Sequence, residues 1–180
     1  MPDLNPSPAH YDRRTVALHW LTAALVISLW LLGQTIDWFP KGNWRVFARS
    51  THISFGVALA FVLVVRLSWR FSPRAVHLPP AGRGWPNRVA PITHGLLYAL
   101  LVAAVALGIA NTWIRGDTIF NLFKIPSFDP TNKDLRETIE EWHALAANTL
   151  LVVALLHAVA GLQHHFVRKD GVLRRMLPGK

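Results

Sequence analysis

His143 and His157 stand fourteen residues apart in one apolar stretch, with no Asp, Glu, Lys or Arg between them. Fourteen residues is close to four helical turns. Both imidazoles would therefore leave one helix face, about 40° apart in direction and ~21 Å apart along the axis. Neutral imidazole is an axial donor for haem iron, and this span accommodates two porphyrins, one near each surface of a bilayer. Each iron then needs a second imidazole at matching depth. His52 matches the outer level, and either His19 or His94 the inner one. Iron with two axial imidazoles has no open position, which favours electron transfer over oxygen binding.

Each histidine also has a plainer reading. A lone intramembrane histidine is ordinarily hydrogen-bonded to a neighbouring helix, and His94 keeps that role open. It is the set of four, at two matched depths, that argues for ligation. His10 and His77 fall in polar or Pro-rich segments and read as solvated. His164 and His165 end the fourth apolar run, where they anchor at the interface or contact a quinone. Gly56, Ala147 and Gly161 each follow a candidate ligand by four residues. Small residues there let a flat macrocycle approach the backbone, although they equally let helices pack. Cysteine is absent, which excludes disulfides, thiolate-held iron–sulfur clusters and covalent c-type haem.

The elements that must carry these residues are membrane helices. The 180-residue chain is 52% hydrophobic and only 16% charged, against roughly 25% charged in soluble domains. Four runs are long enough to cross a bilayer, which takes about 20 helical residues. They predict helices over approximately 15–37, 48–70, 89–114 and 141–167. The first run is longer than the apolar core of a signal peptide and carries His19 and Trp20, so it reads as a retained helix. Prolines 73, 79, 80, 86 and 91 predict that 72–91 is not a helix interior. The stretch 115–134 is long enough to fold over the bundle as a cap. Trp20, Trp38, Trp69, Trp113 and Trp142 lie near run ends, where an aromatic belt belongs. No repeat or low-complexity tract divides residues 1–180, so we expect a single all-α membrane domain, a four-helix bundle with two stacked haems.

The basic residues flank the apolar runs, so the net charge of +9 points to a membrane and not to nucleic acid. Twelve Lys and Arg fall on the side of the termini and seven on the other. The positive-inside rule then puts both termini in the cytoplasm. Lys41, Arg45 and Arg49 precede His52 and form either a positive entrance for an anion or an ordinary solvated interface. The outer loops balance at seven basic and seven acidic residues.

With these residues in place, the chain resembles the bacterial di-haem cytochrome b561 family, related to the cytochrome b subunits of hydrogenases and formate dehydrogenases. The resemblance runs from about Tyr11 onward. It is carried by Leu18-His19-Trp20, Thr51-His52-Ile53, Thr93-His94-Gly95 and Glu141-Trp142-His143 through Asn148. Leu156-His157-Ala158, Gln163-His164-His165-Phe166, Lys169-Asp170 and Arg174-Arg175-Met176-Leu177-Pro178 complete it. It implies two haem b groups, with His19 and His157 holding the inner one and His52 and His143 the outer. Within the family the chain is similar to stand-alone members that act as superoxide oxidases, which implies periplasmic superoxide as donor and ubiquinone as acceptor. His164 and a basic residue of the second loop, for which Arg83 is the candidate, would then hold the quinone. The rival expectation is a cytochrome b fed by a dehydrogenase or hydrogenase partner, although no segment looks like a docking extension and no obligate protein partner is evident. A second rival, of another class, is a haem-free transporter or metal carrier using the same histidines.

Overall fold

The computed structural model describes residues 10–78, 86–129 and 131–177. Four long helices account for most of them: α1 (Arg13–Thr35), α2 (Asn43–Arg70), α3 (Pro86–Arg115) and α4 (Lys133–Gln163). Each is long and apolar enough to cross a membrane. The side chains follow the rule for such a bundle. Leu31, Phe61, Ile109, Val152 and Leu156 point outward, which would be costly in water and costs nothing against lipid tails.

Local chemistry sets the helix ends. Asp12 caps α1, accepting from the Thr15 amide (2.9 Å) and hydroxyl (2.6 Å). The same carboxylate accepts from the Trp69 indole (3.1 Å), so the cap also ties the start of α1 to the end of α2. Partial desolvation pushes the Asp12 carboxyl up. Hydrogen bonds from Thr15, Val76 and Trp69 outweigh it and hold the group below the usual carboxylate range. Asn132 caps α4 through the Leu135 amide (3.0 Å), so the polar turns 133–140 extend the helix eight residues beyond its expected start at 141. In α3 the expectation for 72–91 is corrected. Pro86 opens the helix and Pro91 lies inside it. A proline so close to a helix start removes only one early backbone bond, so the helix tolerates it.

The helices associate as two antiparallel hairpins. α1 packs along α2 and α3 along α4, while contact between the hairpins is much sparser. A leucine cluster from all four helices (Leu29, Leu59, Leu63, Leu101 and Leu150) joins them at mid-depth. Trp30 adds one polar tie, its indole donating to Asn148 Oδ1 at 2.9 Å.

The segment after α3 forms a small cap. Strands β1 (Thr118–Ile119) and β2 (Phe123–Lys124) pair antiparallel across a turn in which Phe120 and Asn121 both have positive φ. A phenylalanine is a costly residue for that conformation. The turn is pinned to α2, where the Phe120 amide donates to Ser54 Oγ (2.9 Å) and the Asn121 amide to the fully buried Ser50 Oγ (2.8 Å). At the opposite face the chain ends meet. Tyr11 donates its amide to the Arg175 carbonyl (3.3 Å), and the Trp20 indole donates to the Met176 carbonyl (2.7 Å). Tyr11 and Met176 therefore lie on one side of the bundle, as an even number of spans requires.

Candidate functional site

Two histidine pairs face each other across the gap between the hairpins. At the cap end, His52 of α2 and His143 of α4 have ring centroids 6.2 Å apart. At the end of the termini, His19 of α1 and His157 of α4 stand 6.3 Å apart. Metal–imidazole bonds are about 2.0 Å long, and a ring centre sits a little over ~1 Å behind its donor nitrogen, so two axial rings should stand roughly 6.3 Å apart. Both pairs meet that spacing.

His94 of α3 joins the inner level, its ring 5.1 Å from that of His157. That separation is shorter than the roughly 6.3 Å expected of two rings on opposite faces of one iron. Among the described residues, no group of three or more His, Asp or Glu side chains could hold a bare metal ion.

The outer rings rest on glycines that the spacing argument did not single out. A Cβ at Gly33 of α1 would stand 3.3 Å from His52 Cε1, and one at Gly108 of α3 would stand 3.1 Å from His143 Cε1. Each outer histidine thus lies against the glycine of its own hairpin partner. The only signal in the sequence was a glycine toward the outer end of each of the two apolar runs that lack an outer histidine. Gly56, by contrast, faces open space, and Gly161 meets only Leu173 Cδ1, at 3.9 Å.

The ring nitrogens are held unevenly. His143 Nδ1 donates to the Ala104 carbonyl (3.0 Å), which fixes the tautomer and frees Nε2 as a donor to a metal. His52 Nδ1 is buried without a hydrogen bond of good geometry. Asn111 Oδ1 and Arg136 Nε are likewise buried and unpaired, and all three lie in the outer half of the bundle. Buried polar atoms without partners ordinarily mark an interaction yet to be completed. Unpaired outer polar atoms, ring spacings suited to an intervening metal and an open face at Gly56 together fit a flat, iron-bearing macrocycle with polar edge groups.

At the inner mouth α4 ends in a π turn over His164–Arg168, after which Lys169 reverses the chain in the left-handed conformation. The reversal brings Asp170 back to His164, whose Nδ1 lies 2.5 Å from Oδ2. Some desolvation pushes the Asp170 carboxyl up, but the bonds from His164 and the Val172 amide prevail and hold it low. The second-loop candidate Arg83 lies outside the described residues.

The basic cluster before His52 is largely neutralised. Arg45 pairs with Asp37 (3.2 Å) and donates to the Phe39 carbonyl. Arg49 and Arg115 share Asp117 (3.6 and 3.4 Å), and Arg115 also reaches Glu140 at 2.6 Å. Burial pushes the Asp117 carboxyl up, against the pull of Arg49 and Arg115. Lys41 is exposed and makes no ion pair among the described residues.

Comparison with known proteins agrees with this architecture. A family model described as prokaryotic cytochrome b561 matches residues 10–179. The chain is 31% identical over 173 residues to cytochrome b561 homolog 1 of Escherichia coli (strain K12), covering 93% of this chain and 97% of that one. It is 30% identical over 172 residues to the probable superoxide oxidase CybB of Yersinia pestis, covering 94% and 97%. Cytochrome b562 of Cereibacter sphaeroides is 28% identical over 181 residues, covering 93% and 94%.

Proposed function

The chain belongs to the prokaryotic cytochrome b561 family, and from that premise we propose that it carries electrons from superoxide at the outer face to ubiquinone at the inner face. The family assignment makes it a haem b electron-transfer protein of the membrane. The observation that carries the finer reading is the pair of histidine spacings, 6.2 and 6.3 Å, at two levels of the gap between the hairpins. In this reading His52 and His143 hold an outer haem b, and His19 and His157 an inner one. The bound haems would supply reversible one-electron iron chemistry at fixed positions. His94 is left as a neighbour of His157 and not a ligand.

The protein's own part is to position and to seal. Gly33 and Gly108 let the outer imidazoles sit flush against the neighbouring helices, and the Ala104 carbonyl orients His143. The hairpin pinned on Ser50 and Ser54 covers the outer end of α2. At the inner mouth, Asp170 orients His164 toward a site where a quinone oxygen could be held and protonated. Both termini, which lie on one side, would face the cytoplasm of a bacterial inner membrane. The balance is two superoxide anions, each losing one electron to become O₂, against one ubiquinone gaining two electrons and two protons. What supports superoxide as donor is the likeness to a relative named a probable superoxide oxidase.

A second reading rests on the neutralised outer cluster. Arg45, Arg49 and Arg115 are all engaged by carboxylates, so little net positive charge is left to attract an anion. A partner dehydrogenase or hydrogenase would not need it. Rapid mixing of the purified oxidised protein with superoxide decides. Prompt haem reduction followed by ubiquinone-dependent reoxidation supports the first reading. A spectrum unmoved by superoxide but reduced by a co-purifying dehydrogenase would establish the second.

A further inference from the structure

The two levels differ in what faces the second ring nitrogen of their histidines. At the outer level His143 Nδ1 donates to the Ala104 carbonyl. A carbonyl partner raises the basicity of an imidazole ligand and so favours the more positive, oxidised metal. At the inner level Arg66 Nη2 stands 3.3 Å from His19 Nδ1. A guanidinium has donors only. It cannot feed the ring as a carbonyl does, and it brings a full positive charge.

That charge is held in place. Arg66 Nε donates to Tyr98 Oη at 3.1 Å, and the guanidinium carbon lies 5.2 Å from the centre of the Tyr98 ring. None of the ion pairs among the described residues includes Arg66. An arginine near the end of a membrane helix can snorkel to the headgroups. Arg66 instead lies against His19 of α1 and Tyr98 of α3, so it spans from one hairpin to the other.

We propose that Arg66 acts through His19 to raise the reduction potential of the inner haem above that of the outer one. The proposal rests on the axial assignments given above. A positive charge beside an axial ligand stabilises the reduced, less positive iron, and the more so the less water screens it. With the Ala104 carbonyl acting in the opposite sense on His143, the outer-to-inner direction becomes downhill. Arg66 is a positioning residue for this gradient and touches no substrate. Tyr98 is the anchor that keeps it there.

The test is a spectroscopic redox titration of the purified, haem-loaded protein and its Arg66→Gln, Arg66→Lys and Tyr98→Phe variants. For Arg66→Gln we expect one of two resolved haem potentials to fall, with a tenfold or greater change in its reduction equilibrium, about 59 mV for one electron. The other should stay in place. Arg66→Lys, which keeps the charge, should stay near the parent, and Tyr98→Phe should fall part of the way. Two haems retained in Arg66→Gln with both potentials unchanged, or with the lower one moved, would overturn the proposal and leave the di-haem reading intact. Should Arg66→Gln not assemble, the Lys and Phe variants decide. Tyr98→Phe at the parental value, or Lys falling further than Phe, overturns it. A parent protein with no iron porphyrin would sink the di-haem reading and this inference together.

Discussion

Gly108 presents its backbone to the His143 ring so closely that a Cβ there would stand 3.1 Å from Cε1. The adjacent Nδ1 is held by the Ala104 carbonyl, one turn earlier on the same helix. One helix therefore sets both the tilt and the tautomer of a histidine carried by its neighbour.

Gly108→Ala should accordingly weaken the outer site. The ring must shift by a few tenths of an ångström, and overpacking of this kind costs about 1–3 kcal/mol. We expect reduced occupancy of the outer haem, measured as haem per chain, and a lower midpoint of thermal unfolding. Gly33→Ala should act in the same sense but more weakly, since its Cβ would have 3.3 Å of room.

The axial assignments predict haem counts. His52→Ala and His143→Ala should each retain one haem of about two, the same one, and His19→Ala and His157→Ala should retain the other. His94→Ala should keep both. Haem quantified per chain, with spectra of the remaining group, checks this. Loss of a haem in His94→Ala with retention in His19→Ala would reverse the inner assignment.

Asp12 gives a prediction in pH. Its carboxyl is held below its usual value by Thr15, Val76 and Trp69, so its stabilising contribution is complete above the unfolded value of about 4 and disappears as pH falls through the lower folded value. Asp12→Ala should cost ~1–2 kcal/mol at neutral pH, as loss of a helix cap does. Parent and variant should begin to converge below about pH 4 and meet only once pH has passed the lower folded value. Unfolding followed from neutral pH into the acid range would check it, and a gap that does not narrow below about pH 4 would contradict it.

Asp117 holds back two arginines at the outer face. If superoxide is the donor, Asp117→Asn should raise its rate of haem reduction severalfold at low ionic strength, an advantage that salt removes. A rate independent of both the substitution and salt would favour a donor other than a small anion.

Sequence alone determined the number of spans, the shared side of the termini and the two histidine levels. Each follows from run length or from helical rise, which are local properties. The fourteen residues between His143 and His157 carry their separation with them wherever the helix goes. Only tertiary structure decided which helices pair and that two histidine pairs face each other between the hairpins. It also made Gly33 and Gly108 the seats of the outer rings, placed His94 closer to His157 than two rings on opposite faces of one iron would stand, and turned Arg66 onto His19. Those relationships join residues from 19 to 63 positions apart. They depend on helix rotation and crossing, which side-chain packing sets and which no spacing along one helix encodes.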